Sequence, residues 1–174
     1  LLAFSYGTHL AFAYLRGYGG HVENAVLIGI EGPDDTLKPP AHMDTAFVRL
    51  ARAVAGDRAI HARIPDLEAL YDRVIARLAR EPMLVEVPMP NGGDTLQVPV
   101  GPFGLRFVLR ADLGDASDLP VFPRLLWSID RGDPSVLAWF IRKRAGAALG
   151  VHGMNLAVDE ASGASAERRA LVAE

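Results

Sequence analysis

Ser5 is the residue whose neighbours best fit it for nucleophilic chemistry. It lies in Ala3-Phe4-Ser5-Tyr6-Gly7, after the apolar run Leu1-Leu2-Ala3-Phe4 and before a segment of helical pattern. A serine on a sharp strand-to-helix turn takes a strained backbone conformation that lifts its hydroxyl clear of the sheet. Such a turn wants residues with almost no side chain two positions to either side. Gly7 meets that demand, and Ala3 meets it with one extra methyl group. The chemistry would be acyl transfer, in which the hydroxyl attacks a carbonyl carbon. Serine is a weak nucleophile without a base in reach, and that base needs an orienting carboxylate. The plainer reading of the same residue is a serine N-cap on an ordinary strand-to-helix connection.

The elements that would hold Ser5 are legible around it. Thr8–Tyr18 reads as a helix, with Leu10, Ala11, Tyr14 and Leu15 on one apolar face and Gly17, Gly19 and Gly20 ending it. Val22–Ile30 is centred on a continuous apolar run bounded by Gly32-Pro33, the pattern of a fully buried parallel strand. Strand, turn, helix and strand make one βαβ unit with a right-handed crossover.

Past Pro33 the pattern changes. Pro39-Pro40 signals a linker, and helical segments follow at Met43–Ala55, Pro65–Arg80, Pro102–Leu109, Leu119–Asp130 and Pro134–Leu149. Asp133-Pro134 reads as an N-cap followed by proline at the first helical position. Met83–Pro88 and Thr95–Val100 flank Asn91-Gly92-Gly93-Asp94 as a hairpin whose prolines, 88, 90 and 99, confine it to an edge. The expected fold class is α/β: one βαβ unit of a parallel sheet over residues 1–33, a mainly helical cap with a β-hairpin over 34–163, and the start of a helix over 164–174.

Taken together, Ser5-Tyr6-Gly7-Thr8, the helix to Tyr18 and Ala25-Val26-Leu27-Ile28-Gly29-Ile30-Glu31-Gly32-Pro33 resemble the α/β-hydrolases of the proline iminopeptidase and tripeptidyl-aminopeptidase branch. Leu119-Pro120 through Arg131-Gly132-Asp133 is similar to the late cap helices of that branch. The resemblance is specific over residues 1–33 and loose through the cap. It implies a serine hydrolase acting on peptides from the amino end, or on related amides and esters, with no cofactor. Ser5 would be the nucleophile and the backbone N–H of Tyr6 one oxyanion donor. The second donor would come from an earlier strand, and the acid and histidine would follow later in the order serine, acid, histidine. The chain opens on half a strand and closes on a helix stopped partway. The expectation is therefore an internal piece of a longer protein, inactive by itself, whose two parallel strands would not form a stable sheet alone.

Other candidates are weaker. Among the histidines, His9 follows the elbow by one helical turn and should point along the helix. His21 ends that helix, and His42 and His61 lie in polar cap segments. His152, in Gly150-Val151-His152-Gly153, superficially matches an oxyanion loop in the wrong chain order. Asp34 is an acid candidate because it follows the second strand at its carboxyl end, where open α/β sheets build sites; otherwise it and Asp35 begin a solvated loop. Glu31, at the same edge, could meet a substrate ammonium group or simply be exposed. Glu81 and Glu86 lie in the cap with nothing to select them. Trp127, Trp139, Phe140, Phe103 and Phe107 could line an acyl pocket, although such spacing more often marks core.

Composition removes several function classes. A net charge of −3, with its 18 Lys and Arg dispersed, offers no basic face for nucleic acid. Without cysteine there is no disulfide or thiolate metal site, and no histidine pair has metal-binding spacing. No apolar run approaches the ~18 residues of a membrane span. The partner expected is thus a small peptide, amide or ester. No targeting segment is visible, so a cytoplasmic location is the default expectation while compartment and oligomeric state are unknown. The rivals are an esterase or lipase-like hydrolase of the same fold, a lyase or haloalkane-type enzyme (the latter opposed by the serine), and a hydrolase-fold binding protein without catalysis.

Overall fold

The structure is a computed structural model that describes residues 1–39, 41–88, 95–148 and 153–173. Along the chain run β1 (Leu2–Phe4), α1 (Tyr6–Tyr18), β2 (Val26–Ile28), α2 (Ala41–Gly56), α3 (Arg58–His61), α4 (Leu67–Arg80), β3 (Met83–Pro88), β4 (Thr95–Val100), α5 (Pro102–Asp112), α6 (Phe122–Asp130), α7 (Ser135–Ala148), α8 (Gly153–Ser162) and α9 (Ala166–Ala173). The architecture is mixed α and β with two small two-stranded sheets.

The chain forms two compact units, Leu1–Pro40 with His152–Glu174, and Ala41–Val151. These boundaries differ from the expected divisions at 33/34 and 163/164. Residues 34–39 and 153–163 belong with the strands because Asp34 and Asp35 bind Ser165 and Arg168, while Ser162 Oγ lies 3.3 Å from the Tyr6 hydroxyl. The helical unit is thus a single excursion from the strand unit, to which the chain returns.

In the first unit β1 and β2 pair in parallel, with Leu2 opposite Val26, Ala3 opposite Leu27 and Phe4 opposite Ile28. The strand expected over Val22–Ile30 shortens to three residues, and its burial is a correction. Leu2 and Phe4 are 73% and 69% exposed, and Val26 and Ile28 55% and 49%. The apolar run is β-forming, but one partner strand leaves much of each outer face uncovered. The helix α1 buries Thr8 and Ala11, whereas Leu10 and Tyr14 of the expected apolar face are exposed. Gly29, immediately after β2, has a φ of +63°, a backbone region that only glycine enters without strain.

The second unit has a continuous core. Leu67, Leu70, Val74 and Leu78 form one stripe of α4, spaced as an amphipathic helix requires. They belong to the same core as Val85 and Val87 of β3, Leu105 and Val108 of α5, Phe122, Leu125, Leu126 and Ile129 of α6, and Leu137 and Phe140 of α7. Phe122 and Phe140 stack with ring centroids 5.2 Å apart. Helix α4 packs on α6, and α7 lies on β3. The strands of the hairpin fall where the sequence places them, antiparallel from Met83 opposite Val100 to Pro88 opposite Thr95. The turn at 91–94 and Pro90 lie outside the described residues.

Helix starts follow local hydrogen-bond chemistry. Asp66 Oδ1 accepts the Ala69 N–H at 2.9 Å, and Asp133 Oδ1 accepts that of Ser135 at 2.9 Å. Asp66→Ala should lower the unfolding free energy by about 1 kcal/mol, the usual worth of such a cap. A urea titration checks this, since the midpoint should move while the slope stays unchanged.

One feature of this unit was invisible in the sequence. Asp112, fully buried at the end of α5, accepts hydrogen bonds from Arg144 Nε at 2.8 Å and from Arg144 Nη2. Lys143 Nζ lies 3.4 Å from the same carboxylate and pairs also with Asp118. Phe140 is core, but Trp127, Trp139, Phe103 and Phe107 are at least partly exposed, so helical spacing alone misplaces them. Among the described residues, no helix is long and apolar enough to cross a membrane.

Candidate functional site

The site is built where β1 ends at Phe4 and α1 begins at Tyr6, with Ser5 between them. Ser5 has φ 50° and ψ −128°, and among the described residues it is the only non-glycine with positive φ. A side chain in that region costs about 1–3 kcal/mol unless its surroundings enforce it. An ordinary N-cap residue sits in extended backbone and its oxygen accepts an N–H of the first turn. Ser5 does neither: its side chain makes no capping hydrogen bond, and the residue is exposed. That geometry distinguishes it from the N-cap reading.

The backbone around the serine is tied on both sides. Its N–H donates to the Ile28 carbonyl at 2.9 Å, and its carbonyl accepts from the Thr8 N–H at 2.8 Å. The Thr8 hydroxyl donates to the same carbonyl at 2.7 Å and accepts the Glu31 N–H at 2.8 Å. The small flanks are less crowded than the motif suggests. A Cβ on Gly7 would meet the Ala3 methyl at 3.9 Å, an ordinary contact, which explains why alanine fits at position 3.

Tyr6 opens α1. Its N–H belongs to the first turn, whose amides have no partner within the helix and lie at the positive end of the helix dipole. An oxyanion held there would be stabilised by both. The phenol ring of Tyr6 stacks on His9, with centroids 5.6 Å apart and planes 10° apart.

The remaining candidates do not assemble with Ser5. His9 Nδ1 lies 3.1 Å from the Gly32 carbonyl, to which the Nδ1-protonated ring donates. Its ring is thus committed to the loop after β2 and not to the serine. Glu31 is ion-paired with Lys38, Oε1 to Nζ 2.6 Å, so its carboxylate is already balanced by a cation. Asp34 meets no histidine among the described residues. Its Oδ1 accepts the Ser165 N–H and its Oδ2 the Ser165 hydroxyl, both at 2.7 Å, with Arg168 Nε 3.8 Å away. The Ser165 backbone N–H, then its hydroxyl, then the Arg168 charge hold the Asp34 carboxyl below its usual range against a small opposing effect of burial. Asp34 therefore anchors the start of α9, and it is neither a free loop residue nor seated beside a base. Asp35 does the companion work, accepting the Gly32 N–H at 2.9 Å and an Arg168 N–H at 2.8 Å. His152 lies outside the described residues.

Thr8, Lys38, Ser165 and Arg168 were missed by sequence reasoning. Thr8 had a local signal, a hydroxyl residue three positions after the serine, where it can reach the serine carbonyl. The pairing of Asp34 with a segment over a hundred residues away had none. Among the described residues no cluster of three or more His, Asp or Glu could hold a metal ion. Comparison with known protein families, curated proteins and solved structures finds no match.

Proposed function

We propose that the chain carries the nucleophile of a serine hydrolase of the α/β-hydrolase type, cleaving amide or ester bonds through an acyl-enzyme. The reading is carried by the strained, exposed Ser5 at a strand-to-helix junction, with a hydroxyl that caps nothing. The parallel partner strand and the helical excursion after it agree with an elbow unit followed by a cap. In this mechanism the Ser5 Oγ attacks the substrate carbonyl carbon and its proton passes to a general base. The developing oxyanion is held by backbone amides including that of Tyr6, the leaving group departs protonated, and water releases the acyl group. Base and acid are to be supplied by groups other than those the described residues bring to Ser5. The peptidase branch that the sequence resembles suggests peptides cleaved from the amino end. Glu31, paired with Lys38, is a poor receptor for a substrate ammonium, which leaves esters and other amides equally suited to the site.

A fluorophosphonate probe applied to the full-length protein tests the reading. Covalent labelling that disappears in Ser5→Ala supports it, and a wild-type protein that takes no label rejects it. The second reading, a hydrolase-fold binding protein without catalysis, is favoured by the one observation that His9 is turned to Gly32 instead of Ser5.

A further inference from the structure

We propose that Thr8 is a positioning residue for Ser5, its buried hydroxyl locking the nucleophile's carbonyl to the neighbouring strand's end; this rests on the hydrolase reading. Thr8 is fully buried although its side chain is polar. A hydroxyl has one proton to give, and the shortest contact takes it: Ser5 O at 2.7 Å, against 3.4 Å to the Glu31 carbonyl. A lone pair then accepts the Glu31 N–H at 2.8 Å.

The direction of the Ser5 carbonyl is the direction of its ψ torsion. Holding that oxygen by both the Thr8 N–H and the Thr8 hydroxyl fixes ψ near −128°. The Ser5 N–H, bound to Ile28 in β2, fixes the other side of the residue. Both anchors run to the same strand and its extension, so the strained serine is set against β2 at two points. A threonine in the first turn of a helix commonly hydrogen-bonds the residue three before it, and that alone would be local chemistry. The bond to an amide 23 residues away is not local, and it couples the elbow to the chain leaving β2. Strained residues persist only where surroundings over-determine them, and Thr8 is the side chain that does so here.

The test uses the full-length protein and the rate of fluorophosphonate labelling, with kcat and KM on a small ester. Thr8→Val keeps the shape and removes the hydroxyl; Thr8→Ser keeps the hydroxyl. Thr8→Val should slow labelling and kcat by about ten- to a hundred-fold with KM little changed, as a small misplacement of a nucleophile does. Thr8→Ser should stay within about threefold of wild type, since it retains the hydrogen-bonding group. Labelling of Thr8→Val at the wild-type rate, or a loss in Thr8→Ser as large as in Thr8→Val, overturns the inference and leaves the hydrolase reading standing. A wild-type protein that takes no label overturns both. Should Thr8→Val not fold, amide exchange at Glu31 in the wild type decides. Protection by about a hundredfold or more over an open amide supports the bond, and exchange at the open rate overturns it.

Discussion

Ser5→Ala in the full-length protein is expected to lower kcat/KM by about 10⁴- to 10⁶-fold, the range over which loss of a serine nucleophile leaves only binding and oxyanion stabilisation. The same change should leave the fold intact, because the Ser5 hydroxyl makes no hydrogen bond that holds α1. Ser5→Gly separates the chemical role of the side chain from its structural cost. Glycine enters the region at φ 50° and ψ −128° freely, so the variant relieves strain of about 1–3 kcal/mol and gives back about 0.5–1 in chain entropy. Its thermal midpoint should therefore equal or exceed that of the wild type while activity is lost to the same extent as in Ser5→Ala. A residue kept for structure would behave in the opposite way, losing stability with its side chain. A Ser5→Ala protein that retains full esterase or amidase turnover ends the assignment of nucleophile.

What could be read from the sequence was what depends on near neighbours in the chain. The turn at Ser5 announced itself through Ala3 and Gly7, and Asp66 and Asp133 announced helix starts through their own hydrogen bonds. The strands at 83–88 and 95–100 were readable because β-branched residues alternate between turn signals. Burial was read less well. A run such as Ala25–Ile30 declares that its residues can be covered on both faces, but coverage is a property of what packs there, and Val26 and Ile28 are half exposed. Helix α8 was missed altogether: its segment opens on Gly153, three residues after Gly150, and part of what holds it is Ser162 against Tyr6, a pairing across most of the chain. The fates of Asp34 and Glu31 were equally hidden. Each sits where a catalytic or binding carboxylate would, and each is instead engaged by Ser165 with Arg168, or by Lys38. Position along a strand places a carboxylate at a site edge, and only its partners say whether it is free to act.

The helical unit makes a second large-effect prediction, independent of any chemistry at Ser5. Arg144→Met should destabilise this unit by about 3 kcal/mol, the lower end of the cost of unpairing a buried charge, because Lys143 still lies 3.4 Å from Asp112. Asp112 is fully buried, whereas the Arg144 side chain is 31% exposed, so the carboxylate carries the desolvation cost and the guanidinium offsets it. Burial by itself would raise the Asp112 pKa. Hydrogen bonds from Arg144, and the positive charges of Arg144 and Lys143, outweigh it and hold the group below the usual carboxylate range. The sign of the pH dependence follows. With a folded pKa below the unfolded value of about 3.9, the ionised group contributes stability above that value and loses it as pH falls through the folded pKa. Arg144→Met removes the strongest influence opposing burial, so the acid-side loss should begin at higher pH than in the wild type. Denaturant titrations at pH 7 and pH 4 check both parts. The double variant Asp112→Leu with Arg144→Met supplies the control, since replacing both partners by apolar groups should recover most of the lost stability. If Arg144→Met alone costs less than about 1 kcal/mol, the value of an exposed pair, then Asp112 is hydrated in solution and the buried pair does not hold α5 to α7.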